Sequence, residues 1–138
     1  TYLHDRRSAY KAGVVSTGNG RRESYRHQPV VRMSNTLIAP GATAPEEILA
    51  ATPKGLLVRR MGGGQVNTVN GDFVFDVAEG YLIENGRRGA PVRGATLTGN
   101  GPEVLKRIDL VANDLVLRSS TAAPTFRVSH MTLAGTSK

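Results

Sequence analysis

The chain of 138 residues contains no cysteine and no tryptophan, and it has only four tyrosines and three phenylalanines. Without cysteine, these residues cannot form disulfide bonds or supply thiolate ligands to a metal, which suits a reducing cytoplasm. No apolar run approaches the roughly 20 residues of a membrane-spanning helix, and no secretory signal is visible. Sixteen glycines and seven prolines predict instead a turn-rich fold with a modest core.

Positive charge is concentrated in the first half of the chain. The formal net charge is +7, and residues 1–69 carry ten basic against four acidic side chains, compared with eight against seven in residues 70–138. A basic half suits nucleic acid, an acidic partner or the carboxylates of a peptide, and equally a solvated surface. Nucleic acid is disfavoured because no recognition-helix pattern and no row of aromatic side chains for base stacking is present.

Helix and turn signals organise the first 55 residues. The pattern predicts a short helix over residues 2–12 that Gly13 ends, and then a glycine-rich loop over residues 14–26. A strand is predicted over residues 30–39. A second helix should follow, with a capping box at Thr43 and Glu46.

Hairpin signals dominate the remainder of the chain. Asn70-Gly71 and Asn85-Gly86 each predict a tight turn, and the second of these turns should join Tyr81–Ile83 to a partner strand over residues 92–98. A stripe of apolar residues predicts one amphipathic helix over residues 102–115, formed by Val104, Ile108, Val111 and Leu115.

The last segment, residues 125–133, alternates as a strand does. Residues 1–138 are therefore predicted to form one α+β domain, a mostly antiparallel sheet of short hairpin-linked strands with two helices packed on it.

Eight motifs follow one another along nearly the whole chain: Gly18–His27, Arg32–Thr36, Gly62–Val66, Phe73–Phe75, Tyr81–Gly86, Pro91–Leu97, Asn113–Leu115 and Ala123–Val128. Their order resembles the TldD/PmbA family of metallopeptidases, once called modulators of DNA gyrase. The resemblance is closest to the TldD branch.

The resemblance implies a zinc enzyme whose metal ligands lie outside these residues. A TldD-like peptidase carries an HExxxH helix in its preceding half, where two histidines bind zinc and the glutamate serves as general base. A cysteine ligand normally follows the Asn-Asp-Leu motif, but here the corresponding interval, Val116–Ala122, is short and has no cysteine. The first residue is threonine, which predicts processing or a longer protein.

Two functions follow from the resemblance. The first is a C-terminal domain or subunit of a zinc metallopeptidase that hydrolyses unfolded peptides, completed by an HExxxH-containing segment or chain. The second is a non-catalytic pairing subunit, because the family commonly works as a TldD-like chain with a PmbA-like partner. Either function implies a homodimer or heterodimer without a membrane anchor.

The segment from Gly18 to His27 is the first candidate site. Gly18-Asn19-Gly20 can form a backbone nest, beside which arginines would hold a carboxylate, namely Arg21, Arg22 and Arg26. Tyr25 and His27 are candidate catalytic residues, because both can donate hydrogen bonds to a tetrahedral oxyanion. The alternative is that this loop docks onto the missing half of the protein through arginine–carboxylate pairs.

The glycine triplet Gly62-Gly63-Gly64 with Gln65 is the second candidate site. Residues without side chains let another backbone approach closely, so an extended peptide could pair with this segment whatever its sequence. The alternative is a glycine bulge within a strand.

Three histidines could substitute for missing metal ligands: His4, His27 and His130. No pair of them has the spacing of a metal-binding helix. No metal ligand is predicted among them: His130 is interpreted as a partly buried, hydrogen-bonded structural histidine, with a zinc ligand as the alternative, and His4 is predicted to lie on the surface. The acidic residues of the second half are too scattered to form a paired-carboxylate site.

Overall fold

The computed structural model describes residues 2–117 and 122–135. They belong to two compact units, one made of residues up to Leu37 together with Leu117, the other of Ile38–Val116 and the residues from Ala122 onward. Mostly antiparallel strands and three short helices make up the described residues, which confirms the predicted α+β class.

The first unit begins with helix α1, Arg6–Ala12. The prediction placed its start at residue 2, but Asp5 caps it: the Ser8 amide donates to Asp5 Oδ1 at 2.6 Å, and the Asp5 amide donates to Ser8 Oγ at 3.0 Å. The helix ends where predicted, at Gly13, which adopts the left-handed conformation with φ of 64°.

A two-stranded antiparallel ribbon completes the regular structure of the first unit. It pairs β1, Gly20–Arg21, with β2, Val30–Val31. The predicted strand over residues 30–39 is therefore wrong beyond Val31. The backbone of Arg32 is bonded to Asn19 instead, since the Arg32 amide donates to the Asn19 carbonyl and the Arg32 carbonyl accepts from the Asn19 side chain.

The second unit is built on a five-stranded antiparallel sheet around one long strand. This strand is β4 (Asp72–Glu84). The other four are β3 (Lys54–Val66), β5 (Arg87–Val92), β6 (Ala95–Asn100) and β9 (Thr132–Gly135). β3 pairs with β4 along its length. On the other side of β4, residues 72–76 pair with β6 and residues 80–84 pair with β5, and β9 pairs with the far side of β6.

Both predicted Asn-Gly turns are present in this sheet. Gly71, with φ of 84°, lies in the turn between β3 and β4. Asn85 and Gly86 both have positive φ, 51° and 73°, as the two central residues of a type I′ turn require. The partner of Tyr81–Ile83 is β5, however, and not residues 92–98 as predicted, because Gly94 at φ of 65° separates β5 from β6.

The core of the second unit is small and lies on the sheet. Val77, Ala95 and Leu97 are buried together, and the partly buried side chains packed against them are Leu56, Val58, Val92 and Met131. Since Val77 belongs to β4 and the other two to β6, the core ties the central strand to its neighbour.

Helix α2, Pro45–Ala50, lies one position further along the chain than the predicted capping box requires. Its N-cap is Ala44, whose amide donates to Glu47 Oε2 at 3.2 Å. The predicted box at Thr43 and Glu46 is wrong because Pro45 takes the first helical position, which suits a residue without an amide hydrogen. Thr43 itself forms a bridge with Ala112.

The predicted helix over residues 102–115 is wrong after its first turns. Helix α3 spans only Gly101–Lys106, and residues Ile108–Val111 form strand β7. This strand pairs with β8, Phe126–Val128, in a separate two-stranded sheet. The predicted final strand over residues 125–133 is likewise two strands, β8 and β9, which belong to different sheets.

Candidate functional site

Asn19 is the buried polar side chain at the centre of the first candidate site, with only 3% of its surface exposed. Its Nδ2 donates to the Arg32 carbonyl at 3.0 Å, and its main-chain carbonyl accepts from the Arg32 amide at 2.9 Å. Its own amide donates to the His4 carbonyl at 3.1 Å. Asn19 therefore connects the segment before β1 to the residue that follows β2.

The predicted backbone nest uses its amides within the chain. The Gly18 amide donates to Ser16 Oγ at 3.2 Å, and the Asn19 amide donates to the His4 carbonyl. Arg21 Nη1 then donates to the carbonyls of Gly18, at 3.0 Å, and Gly20, at 2.9 Å. Anion binding in this region is thus left to arginine side chains.

A hollow of about 410 Å³ lies against the ribbon and is rich in arginine. Its charged walls are three arginines, one glutamate and one histidine, and its lining comprises Arg21, Arg22, Glu23, His27, Gln28, Val30 and Arg32. With His27 neutral, the hollow has a net charge of +2. Arg21, Arg22 and His27, which the sequence analysis named as candidate site residues, all line this hollow.

The imidazole of His27 is oriented by Ser24. The Arg26 amide donates to Ser24 Oγ at 3.2 Å, and Ser24 Oγ lies 2.7 Å from His27 Nδ1. In the tautomer whose Nδ1 accepts from Ser24 Oγ, the neutral imidazole carries its hydrogen on Nε2. Nε2 lies 4.0 Å from Glu23 Oε2. In that tautomer the ring presents a donor beside the hollow.

Tyr25 is 78% exposed and is held by its neighbour Arg26. The Arg26 Nε donates to the Tyr25 hydroxyl at 2.7 Å, and the Arg26 guanidinium carbon lies 5.2 Å from the centre of the tyrosine ring. Since the hydroxyl oxygen already accepts a hydrogen bond, its own hydrogen remains to be donated. Tyr25 thus offers one donor.

The glycine triplet lies on β3, which pairs with β4 on one side and, within the described residues, with no other strand. The pairing of β3 with β4 shifts register between Met61 and Gly64, which confirms the glycine bulge. A side chain at Gly64 would overlap the ring of Phe75 and the carbonyl of Val74, whereas one at Gly63 would meet nothing within 4 Å. Gln65 is exposed on the same strand.

Two histidines lie elsewhere than predicted. His130 is exposed and lies between β8 and β9, so it is not the partly buried strand residue that was expected. His4 is half-buried, and its Nδ1 is buried with no hydrogen-bonding partner among the described residues. The alternation from which the burial of His130 was inferred stops at Val128, where β8 ends.

The residues present do not fit a zinc site. Zinc requires three or four nitrogen, sulfur or oxygen ligands around one point. Within residues 2–117 and 122–135, no three histidine or acidic side chains come together in this way, and the sequence has no cysteine.

The two candidate sites belong to different units. The site around Arg21 lies in the first unit and the glycine triplet in the second. The sequence analysis did not select Ser24, which orients His27, or Gln28, which lines the hollow. The Ser-x-x-His spacing was the available signal, because a serine three residues before a histidine can reach its ring.

Residues 1–135 match the family model of the PmbA/TldA metallopeptidase C-terminal domain. The chain belongs to the PmbA/TldD family. A metalloprotease TldD homolog of Haemophilus influenzae is 46% identical over 112 residues, which are 81% of this chain and 23% of that protein. A zinc metalloprotease TldD homolog of Saccharolobus solfataricus is 31% identical over 118 residues, covering 86% of this chain and 26% of that protein.

Solved structures of PmbA/TldD relatives have the same fold. A proposed modulator of DNA gyrase from Thermotoga maritima superimposes with a TM-score of 0.82 at 32% identity, over 97% of this chain and 30% of that one. TldE from Thermococcus kodakarensis does so with a TM-score of 0.79 at 25% identity, over 97% and 31%. The chain spans about a quarter of the length of the curated relatives.

No helix among the described residues is both long and apolar enough to cross a membrane.

Proposed function

We propose that this chain is the C-terminal domain or subunit of a TldD-like zinc metallopeptidase that hydrolyses unfolded peptides. The match of the family model to residues 1–135 carries the proposal. Zinc would be held by an HExxxH-containing segment or chain outside these residues, because the residues described here do not assemble a metal site. The metal would supply Lewis-acid activation, and residues 1–138 would act as one domain in binding the peptide and stabilising the reacting group.

Tyr25 and His27 are the proposed oxyanion donors. Hydrolysis of a peptide bond develops negative charge on the carbonyl oxygen, and preorganised donors stabilise it more than mobile water does. The Tyr25 hydroxyl keeps its hydrogen to donate, because its oxygen accepts from Arg26. The His27 Nε2 carries a hydrogen to donate in the tautomer whose Nδ1 accepts from Ser24. Both side chains are exposed, so a substrate can reach them.

The glycine triplet is proposed to bind the peptide main chain. The edge of β3 that faces away from β4 presents backbone donors and acceptors, and Gly63 has open space where a side chain would be. A strand edge of this kind can recognise an extended peptide through main-chain hydrogen bonds alone. This would suit substrates that are unfolded and varied in sequence.

The full-length protein is the material for the test. We expect it to contain zinc and to cleave a flexible peptide, measured by metal analysis and mass spectrometry. Tyr25→Phe and His27→Ala should each lower kcat by about 10²-fold with little change in KM, as loss of an oxyanion donor does. Tyr10→Phe is the matched control, because Tyr10 is also exposed but lies on α1. A protein without zinc that cleaves no flexible peptide would refute the proposal.

A second candidate function is a non-catalytic pairing subunit of a TldD/PmbA-type heterodimer. The structural similarity to TldE favours it, as does the absence of a metal site among the described residues. In that case the protein would co-purify with an active partner, and replacing Tyr25 and His27 with alanine would leave the activity of the complex unchanged. A fall in that activity would favour the catalytic role instead.

A cytoplasmic location is also proposed, since a chain without cysteine has no need of an oxidising compartment. Fractionation of cells that express the tagged full-length protein would test it, and recovery in a secreted or membrane fraction would count against it.

A further inference from the structure

The arginine-rich hollow of the first unit has a charge suited to a small anion. Three of its lining side chains are arginines, which present planar donors suited to a carboxylate, and only Glu23 opposes them. The Arg21 side chain is fixed by two carbonyl groups, and the Asn19 contacts hold the Arg32 backbone in place. Arg21 therefore loses less conformational freedom when an anion binds than an unrestrained arginine would.

The rest of the lining suits the end of a peptide. The Gln28 side chain can donate to or accept from a peptide group, and Val30 provides an apolar wall for a small side chain. The volume, about 410 Å³, lies within the range of small-ligand pockets, about 300–1,000 Å³.

A neighbouring hollow of about 360 Å³ is less suited to an anion. It has two arginines, Arg6 and Arg7, but also Asp5, whose carboxylate is committed to capping α1. The Ser8 amide holds the pKa of Asp5 below its ordinary value, so this carboxylate stays negative and opposes a bound anion.

We propose that the hollow lined by Arg22 and Arg32 binds the free α-carboxylate of a peptide, so that the substrate class is peptides with an unblocked C-terminal end. The inference rests on the proposed peptidase function. Main-chain recognition by a strand edge does not depend on sequence, and the α-carboxylate is the one strong anion that belongs to the main chain of every such peptide. A site for it therefore fixes one end of the substrate without selecting its side chains.

Peptide binding to the full-length protein tests this inference, with a chelator present to prevent cleavage. We compare an acetylated tetra-alanine peptide with its C-terminal amide, using calorimetry at low salt. Amidation should weaken binding at least about fivefold, because it removes a charge-assisted contact. A second amidated peptide, with one internal aspartate, distinguishes the effect of a terminal carboxylate on binding from that of a side-chain carboxylate. This peptide should bind as weakly as the plain amide.

Arginine variants locate the effect. Arg22→Gln and Arg32→Gln should each reduce the preference for the free carboxylate to less than about twofold, whereas Arg107→Gln, an exposed arginine at the end of α3, should leave it unchanged. Equal binding of the free and amidated peptides, or equal binding of the free and aspartyl peptides, would overturn the inference. So would a preference that survives in both hollow variants.

The outcome for the proposed function is measured separately. With zinc restored and no chelator, kcat/KM for cleavage is compared between the free and amidated forms of a longer flexible peptide. A lower value for the amide supports the inference. Equal cleavage of both forms refutes the inference while the peptidase function stands, and cleavage of neither refutes the peptidase function itself.

Discussion

The two candidate sites offer different parts of the chain to a ligand. The hairpin of the first unit, formed by β1, β2 and the residues between them, carries polar and charged side chains, and Arg22, Tyr25 and His27 are all exposed. The glycine triplet on β3 has no side chains to offer and presents a bulged backbone. A peptide has charged ends and a repeating main chain. Charged side chains of the first kind are suited to a charged end, and a bulged backbone of the second kind is suited to the main chain.

The units also differ in what keeps their sites in shape. In the first unit, Ala9 and Asn19 are the buried residues among those described, and the hairpin is fixed by hydrogen bonds of Asn19. The glycine triplet, by contrast, lies against β4, the central strand of the larger sheet. Polar contacts therefore govern the shape of one site, and steric contacts govern the other.

Gly64→Ala should have the largest effect on stability. A methyl group at this position would overlap the Phe75 ring and the Val74 carbonyl, and backbone atoms cannot move aside easily. We expect the free energy of unfolding to fall by about 3 kcal/mol, at the upper end of the usual cost of overpacking. Urea unfolding of the two proteins measures the difference.

Gly63→Ala is the control for this prediction. A methyl group at Gly63 meets nothing within 4 Å, so the free energy of unfolding should change by less than about 1 kcal/mol. If both variants were equally stable, the close packing of β3 on β4 at Gly64 would be wrong, and the contrast between a steric and a polar site would fail.

Asn19→Ala tests the polar side of the comparison and should cost about 2 kcal/mol. The substitution removes a buried amide and leaves the Arg32 carbonyl without its side-chain donor, and an unsatisfied buried group costs about 1–3 kcal/mol. Amide hydrogen exchange should report opening of the ribbon between β1 and β2. Asn35→Ala, at an exposed position of the same unit, should change neither measurement, and an equal loss of stability in both variants would argue against the positioning role of Asn19.

The glycine turns and the glycine at the end of α1 were the features that the sequence predicted best, because they depend on a few adjacent residues. Asn85-Gly86 forms the expected turn since two successive positive φ angles favour this pair. Gly13 ends α1 for a similar local reason.

Features that depend on distant residues were predicted less well. The stripe Val104, Ile108, Val111 has helical spacing, yet Ile108–Val111 forms a strand because β8 is available to pair with it. Isoleucine and valine suit strands at least as well as helices. The contacts of Asn19 with Arg32 were missed for the same reason, because the two residues are far apart in sequence and meet only when the ribbon forms.

The Asp109–Arg127 pair is the long-range contact that accompanies this misassigned strand. Arg127 Nε donates to Asp109 Oδ1 at 2.9 Å and Nη2 donates to Oδ2 at 2.8 Å, while Nη1 donates to the Ala51 carbonyl at the end of α2. The hydrogen bond from Arg127 lowers the pKa of the Asp109 carboxyl. The pair thus joins β7 to β8 and to α2.

Asp109→Asn should give the smallest of these effects, and one that depends on pH. Because both side chains are partly exposed, at 37% and 27%, solvent screening limits the loss to about 1 kcal/mol at neutral pH. The folded-state pKa of Asp109 lies below the unfolded value of about 3.9. Its contribution is therefore fully present above that value and is lost as the pH falls through the lower folded pKa.

Unfolding curves of the two proteins between pH 7 and the acid limit should consequently converge as the pH falls below about 4. Asp76→Asn is the control, because Asp76 is exposed and accepts one bond from Thr96 at 3.3 Å, without an arginine partner in the described residues. It should change the free energy of unfolding by less than about 0.5 kcal/mol at neutral pH. A stability difference for Asp109→Asn that stays constant down to the lowest pH would mean that the carboxylate charge does not contribute, and that the bidentate contact with Arg127 does not hold β7 in place.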